Sequence, residues 1–269
     1  MIKDITIGQY YPAKSILHRL DPRVKFVGTI AFLISLFVAN SLWGYLLATA
    51  FLAVVIVLSK VPVKFMMKGL KPLFFIFILT VAFNLFLVPG KVVVQIWILK
   101  ITEEGIRQAI KIGIRLIYLV MGSSVMTLTT TPNQLTDGLE KLMRPLNKIK
   151  VPVHEIAMMM SIALRFIPIL MEETDKIMKA QIARGADFES GNLIKKAKNL
   201  IPLLVPLFIS AFRRADDLAM AMEARGYTGS GKTSRMYPLV YKKEDRVGYL
   251  AILIYISVFI IARISSLSF

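Results

Sequence analysis

Two arginines set in one repeated phrase are the residues best equipped to grip a partner. Ala183-Arg184-Gly185 lies in "MKAQIARGADF" (178–188), and Ala224-Arg225-Gly226 repeats it in "LAMAMEARGYTG" (218–229), 41 positions on (183 to 224). A guanidinium is planar, always charged and carries its donors in a fixed fork, so it suits a groove lined by carboxylates and carbonyl oxygens. Both phrases follow good helix formers, and each glycine is placed to take the left-handed conformation that closes a helix. An arginine in the last turn also faces the negative end of the helix dipole, which alone would account for one copy as a cap. Two copies carry more, because Asp175 and Asp216 each stand nine residues before their arginine and the helices therefore match beyond the cap. Similar ends predict similar sockets on a two-lobed partner.

Other chemistry is thin. "GYTGSGKT" (226–233) satisfies the phosphate-loop pattern G-x-x-x-x-G-K-[ST], but that pattern needs a buried strand feeding the loop and a helix leaving it. Here the helical, charged "DDLAMAMEAR" precedes it and the proline-bearing "SRMYPLVYKKEDR" follows, so a Gly/Ser loop without nucleotide is expected. With no cysteine there is no disulfide or thiolate site, and His18 and His154 do not make an all-protein zinc site. No carboxylate or histidine cluster supplies a base or a metal ligand for a membrane enzyme. The chain therefore reads as non-catalytic, binding no cofactor and no metal itself.

The elements that position these arginines belong to a membrane. Hydrophobic residues make up 56% of the 269, with mean hydropathy +0.63, above the roughly 45–50% of soluble domains. A net charge of +17 points to short loops facing anionic lipid rather than to nucleic acid. Charge-free runs at 26–59, 72–90, 116–136 and 247–262 set the spans. A crossing takes about 20 residues, so 26–59 is read as a helical hairpin turning at "NSLWG" (40–44). Residues 72–90 give a third span, about 105–129 a fourth and 247–262 a last. Arg107, Lys111 and Arg115 recur every four residues on the fourth, and are expected to snorkel outward or face other helices.

Lysines and arginines are dense in residues 1–25 and 60–71 and absent from 40–44, which places the N-terminus in the cytoplasm. The expected organisation is residues 1–130 with four membrane helices, a cytoplasmic coupling region at 131–246 and a last membrane helix at 247–269. Within the middle region, "VPVHEIAMMMSIALRFIPILM" (151–171) turns hydrophilic at "EETDKIMK". It reads as a long amphipathic helix along the membrane surface at one end and projecting into the cytoplasm at the other. The fold class is all-α: a polytopic membrane protein with about five transmembrane helices plus a cytoplasmic domain of long amphipathic coupling helices.

The paired Ala-Arg-Gly phrases, "SILHRLDPRVKF" (15–26) and "EIAMMMSIALRFIPILMEE…KAQIARG" together resemble the T component of energy-coupling factor transporters, ABC-type importers of vitamins and transition metals. The resemblance covers nearly the whole chain. It implies a membrane scaffold joined to two cytoplasmic ABC ATPase subunits, which hold ATP and magnesium, and to a membrane-embedded S component that captures substrate. It further implies that Arg184 and Arg225 dock into the two ATPases, with Ala183, Gly185, Ala224 and Gly226 allowing close entry. His18, Asp21, Pro22, Arg23 and Lys25 match the family's N-terminal pattern, for which a structural role is expected. Met158, Met159, Met160, Met171 and Met178 fit an adaptable contact surface. The competing reading, a self-sufficient ion-coupled carrier, calls for Asp, Glu or His at mid-membrane, and the proposed spans contain none.

Overall fold

A computed structural model of the chain describes residues 10–39, 41–96, 99–188, 192–229 and 238–265. Its elements are helical but for one short ribbon: α1 (Ile16–Arg19), α2 (Pro22–Val38), α3 (Leu42–Ser59), α4 (Val63–Lys68), α5 (Phe74–Leu87), β1 (Val92–Ile96), β2 (Leu99–Thr102), α6 (Glu103–Thr129), α7 (Pro132–Met143), α8 (Val153–Ala183), α9 (Leu193–Asn199), α10 (Ile201–Ala224) and α11 (Lys243–Ser265). The all-α polytopic class expected from the sequence is the class observed.

Among the described residues five segments are long and apolar enough to cross a membrane: Leu42–Ser59, Val63–Leu87, Glu103–Thr129, Val153–Ala183 and Lys243–Ile264. Their membership differs from that expected in two respects: α2 is not among them and α8 is. Helix α2 has 17 residues, while α8 runs unbroken for 31 through Pro168, so length and composition admit a crossing where a surface helix was expected. The hairpin turn is also tighter than "NSLWG", because Ser41 already caps α3 by accepting from the Gly44 amide at 3.3 Å.

The helices fall into two compact units. One gathers α1 to α6 with α11, the other α8 to α10, and α7 carries the chain across the division. In the first unit α2 and α6 pack antiparallel in a seven-residue register. Lys25 Nζ donates to the Thr129 carbonyl at 2.7 Å, the Phe32 ring lies on Gly122, and Arg115 reaches the Ala39 carbonyl at 3.3 Å. Each seven-residue step up α2 is thus met by one down α6, the spacing of two helical turns in coiled-coil packing. A Cβ at Gly122 would fall 2.7 Å from the Phe32 ring, so the glycine is what lets these helices close. On the other side of α6, Gly105, Ala109 and Gly113 form a stripe of small residues, with Gly105 against the Asn84 and Leu85 carbonyls and Gly113 against Phe77 and Val81 of α5. Such stripes let membrane helices approach closely.

Phe32, Leu36, Ala48, Leu52, Tyr255 and Phe259 form the main buried cluster of this unit, and Leu17, Val61, Met66, Val125 and Leu128 a second one. Most other apolar residues face outward. Helix α5 has no buried residue, and Phe74, Phe75, Ile76 and Phe83 are all more than half exposed. In water that surface would be unstable; in a bilayer it is the expected exterior.

The ribbon β1–β2 was not anticipated. It is antiparallel, pairing Gln95 with Lys100 and Ile96 with Leu99, and it feeds directly into α6. Thr102 makes the join: its hydroxyl donates to the Val88 carbonyl at 2.8 Å and accepts from the Gly105 amide at 3.0 Å as the α6 N-cap.

Candidate functional site

The two Ala-Arg-Gly phrases end α8 and α10, as their sequence predicts, and they do so by the same hydrogen-bond pattern. Arg184 and Arg225 are the C-caps, with φ/ψ of −87°/6° and −87°/7°. Behind them Gly185 and Gly226 turn left-handed, at φ +87° and +72°. The Gly185 amide donates to the Ile182 carbonyl at 2.9 Å and the Ala186 amide to Gln181 at 2.9 Å; Gly226 donates to Glu223 at 2.8 Å and Tyr227 to Met222 at 3.0 Å. This crossed pair of bonds is the Schellman arrangement, which satisfies the orphan carbonyls of a helix end and favours glycine at the turning position. Among the described residues, the chain neighbours aside, nothing lies within 4 Å of where a Cβ would stand on either glycine, so within this chain the choice is set by backbone conformation.

All six residues, Ala183, Arg184, Gly185, Ala224, Arg225 and Gly226, are exposed. Neither guanidinium meets a hydrogen-bonding or ion-pair partner among the described residues, so each fork stands open. The helices that carry them are joined lower down, where Arg214 Nη2 donates to Glu173 Oε2 at 3.2 Å. Farther along, Gln181 Nε2 donates to the Pro202 carbonyl at 3.3 Å, so α8 and α10 run past each other in opposite senses. Of the methionines, Met159 and Met160 are exposed while Met158, Met171 and Met178 are half-buried. The phosphate-loop pattern is preceded by α10 rather than by a strand, and its residues from 230 on lie outside the described residues.

The N-terminal motif is a buried buckle within the other unit. Asp21 caps α2, accepting from the Arg23 amide at 2.8 Å, and Pro22 occupies the first helical position, where its missing N–H costs nothing. The same carboxylate holds the Arg23 guanidinium through two bonds, at 3.0 and 2.8 Å. Burial pushes the Asp21 carboxyl up, but the hydrogen bonds from Arg23 and the charges of Arg23 and Lys25 outweigh it and hold the group below its ordinary value. Arg23 also lies over the Tyr241 ring, 3.7 Å from its centroid. Lys25 caps the carbonyl end of α6 at Thr129. His18 Nε2 donates to the Tyr11 carbonyl at 2.9 Å and its Nδ1 takes the Ser15 hydroxyl at 2.6 Å, while the Tyr11 amide donates to Leu128.

Asp245 completes the buckle and escaped the sequence reading. It is 1% exposed, accepts from the Asp21 amide at 2.7 Å, and with its other oxygen accepts from the Lys242 amide at 2.7 Å. The second bond is a capping-box contact at the start of α11 and was foreseeable from an acidic residue three places into a helix. The first joins residues 224 positions apart, and no local pattern announces it. His154 lies 3.1 Å from Glu140, outside this buckle. Among the described residues no group of acidic, histidine or cysteine side chains is arranged to hold a metal.

The class so defined is a polytopic all-α membrane protein carrying a pair of exposed arginine helix ends. The CbiQ family, described as cobalt transport protein, matches residues 13–237. An energy-coupling factor transporter transmembrane protein, EcfT, of Ruminiclostridium cellulolyticum is 57% identical over 245 residues, covering 91% of this chain and 92% of the relative. The EcfT proteins of Clostridium kluyveri, at 52% over 266 residues (98% of both chains), and of Bacillus subtilis, at 48% over 246 residues (91% and 93%), are similar along the same length. The chain belongs to this family, the transmembrane components of energy-coupling factor transporters.

Proposed function

We propose that this chain is the mechanical scaffold of its transporter, with its N-terminus and the arginine-bearing ends of α8 and α10 in the cytoplasm. Arg184 and Arg225 seat in corresponding grooves of two ABC ATPase subunits, which hold the ATP and magnesium and perform the hydrolysis. Closure of the ATPase pair moves the two helix ends, and α8 and α10 pass that displacement to a substrate-capturing S component packed on the membrane helices. Vitamins or other micronutrients are the substrate class, chosen by the S component rather than by this chain.

The observation that supports this reading most is the sameness of the two ends: one cap geometry, one exposed fork, repeated on helices that cross. A bidentate donor at the tip of a rigid helix suits carboxylate or carbonyl recognition by a partner. The names of the relatives supply the transporter, and the N-terminal buckle, fully occupied by internal bonds, supplies a frame rather than a binding site.

The test is Arg184→Glu combined with Arg225→Glu in the assembled transporter. Co-purification of the ATPases is expected to fall at least tenfold while membrane insertion of the chain is retained. Undiminished recovery of the ATPases together with undiminished uptake would defeat the proposal.

A further inference from the structure

A half-open cavity of about 580 Å³ lies inside the first unit, among α1, α2, α3, α6 and α11. Its lining runs from Leu47 to Leu58 on α3 and from Glu244 to Val258 on α11. At 1.5 Å per residue those walls are about 16 and 21 Å long, the scale of one leaflet of a hydrocarbon core about 30 Å thick. The walls are apolar, with Phe51, Val55, Val125, Ala251 and Ile252 among them. Of the polar groups that face it, Lys25 Nζ is committed to the Thr129 carbonyl, the Tyr255 hydroxyl to Ser35 at 2.6 Å and the Thr129 hydroxyl to the Val125 carbonyl at 2.8 Å. Water would find few partners there, and an apolar void of this size left empty sacrifices packing along its whole wall. Hydrocarbon is the occupant that suits the lining.

The cavity is also polarised along its length. Its one end, at Ile16, Lys25 and Glu244, belongs to the segment where Arg19 closes α1 and where Lys242, Lys243 and Arg246 surround the start of α11, all four exposed. Glu244 is the single exposed carboxylate among them, since Asp21 and Asp245 are spent on the buckle. Of the charged side chains only Lys25 and Glu244 line the slot itself; Arg19, Lys243 and Arg246 stand on the same helix ends beside it, and exposed cations at that level complement an anionic headgroup. We propose that this cavity is a binding site for one acyl chain of an anionic phospholipid, drawn from the leaflet whose surface lies at Lys25, with its phosphate among Arg19, Lys243 and Arg246.

The experiment uses the full chain in liposomes containing phosphatidylglycerol with a photoreactive diazirine at the end of one acyl chain, followed by peptide mapping. Labelling of 47–58 and 247–258 is expected at least fivefold above that of α5, which is equally apolar and has no buried residue. Ala251→Trp, which fills the slot, is expected to remove that excess, and Ala50→Leu, a milder filling from the opposite wall, to reduce it. Replacing Arg19, Lys243 and Arg246 by Gln is expected to bring labelling by phosphatidylglycerol down to that by the matching phosphatidylcholine probe. Equal labelling of α5 and the cavity walls overturns the proposal, as does an excess that survives both filling variants. Headgroup preference unchanged in the triple variant overturns the anionic assignment. Loss of the excess in the assembled transporter, with protein cross-links in its place, overturns it in favour of a partner helix.

Discussion

Glu173 and Arg214 meet at 3.2 Å across α8 and α10, and each stands eleven residues before the arginine that ends its helix. Their separation of 41 positions is the spacing of the Ala-Arg-Gly repeat itself, so the two helices touch at equivalent points. Because they pass in opposite senses, the ends leave this contact in opposite directions along arms of about 16 Å each. A pivot with equal arms follows from the register of one ion pair.

Breaking that pivot tests its place in the proposed mechanism. The pair is partly exposed, with side-chain accessibilities of 38% and 25%, so Arg214→Ala should cost only about 0.5–1 kcal/mol in thermal unfolding. Uptake should fall far more than stability, and the charge swap Glu173→Arg with Arg214→Glu should restore most of it. Uptake that tracks melting temperature alone would reduce the pair to ordinary packing.

The glycines behind the arginines can be probed without touching the guanidinium. Gly185→Ala and Gly226→Ala meet no neighbour among the described residues, so their cost in the chain is that of a left-handed residue with a Cβ, about 1 kcal/mol each. Recovery of ATPases in a pull-down should weaken in each variant, and less for Gly→Asn, which tolerates this conformation. Equal weakening by Ala and Asn would point to side-chain interference at the partner instead.

Asp245 is expected to be the most sensitive polar position of the membrane unit. Asp245→Ala leaves the Asp21 and Lys242 amides without their acceptor, at about 1–3 kcal/mol for the buried Asp21 amide and less for the part-exposed Lys242 amide. Asp245→Asn keeps one acceptor oxygen and should cost less. Melting of the purified chain in detergent distinguishes the two.

The lowered pKa of Asp21 gives a pH dependence with a definite sign. A carboxyl held below its unfolded value contributes stability that is complete above about pH 4 and lost as the pH falls through the folded value. Wild-type melting should therefore decline in that acid range, and Asp21→Asn should flatten this part of the profile while lowering the plateau above it. An unchanged acid slope in the variant would remove Asp21 from the account.

Gly122→Leu should be destabilising by about 1–3 kcal/mol, since the added atoms meet the Phe32 ring at the centre of the α2–α6 register. Phe32→Ala in the same chain should recover part of the loss. Additive losses in the double variant would contradict the contact.

The sequence announced features that are local. Charge-free runs located α3, α5, α6 and α11, and the glycine after each arginine located the ends of α8 and α10 to the residue. What it concealed depends on distance or on a competing signal. Asp245 meets Asp21 only because α2 and α11 lie side by side, a fact no window along the chain contains. Arg115 shared a helical face with Arg107 and Lys111, yet the fold separates them: Arg115 reaches the Ala39 carbonyl and the Tyr45 hydroxyl, while Arg107 stays exposed. The ribbon at 92–102 falls between the third and fourth expected spans, in a stretch given no element, although "VVVQI" is β-branched and too short to cross.

Because both caps close with the same bonds, the two Ala-Arg-Gly ends present one backbone shape and one exposed guanidinium each. The difference lies one bond away, at the residues joined by the crossed amide contacts: Gln181 with Ala186 on one side, Met222 with Tyr227 on the other. The two ends therefore differ there, in a long amide against a methyl group on one side and a thioether against a phenol ring on the other.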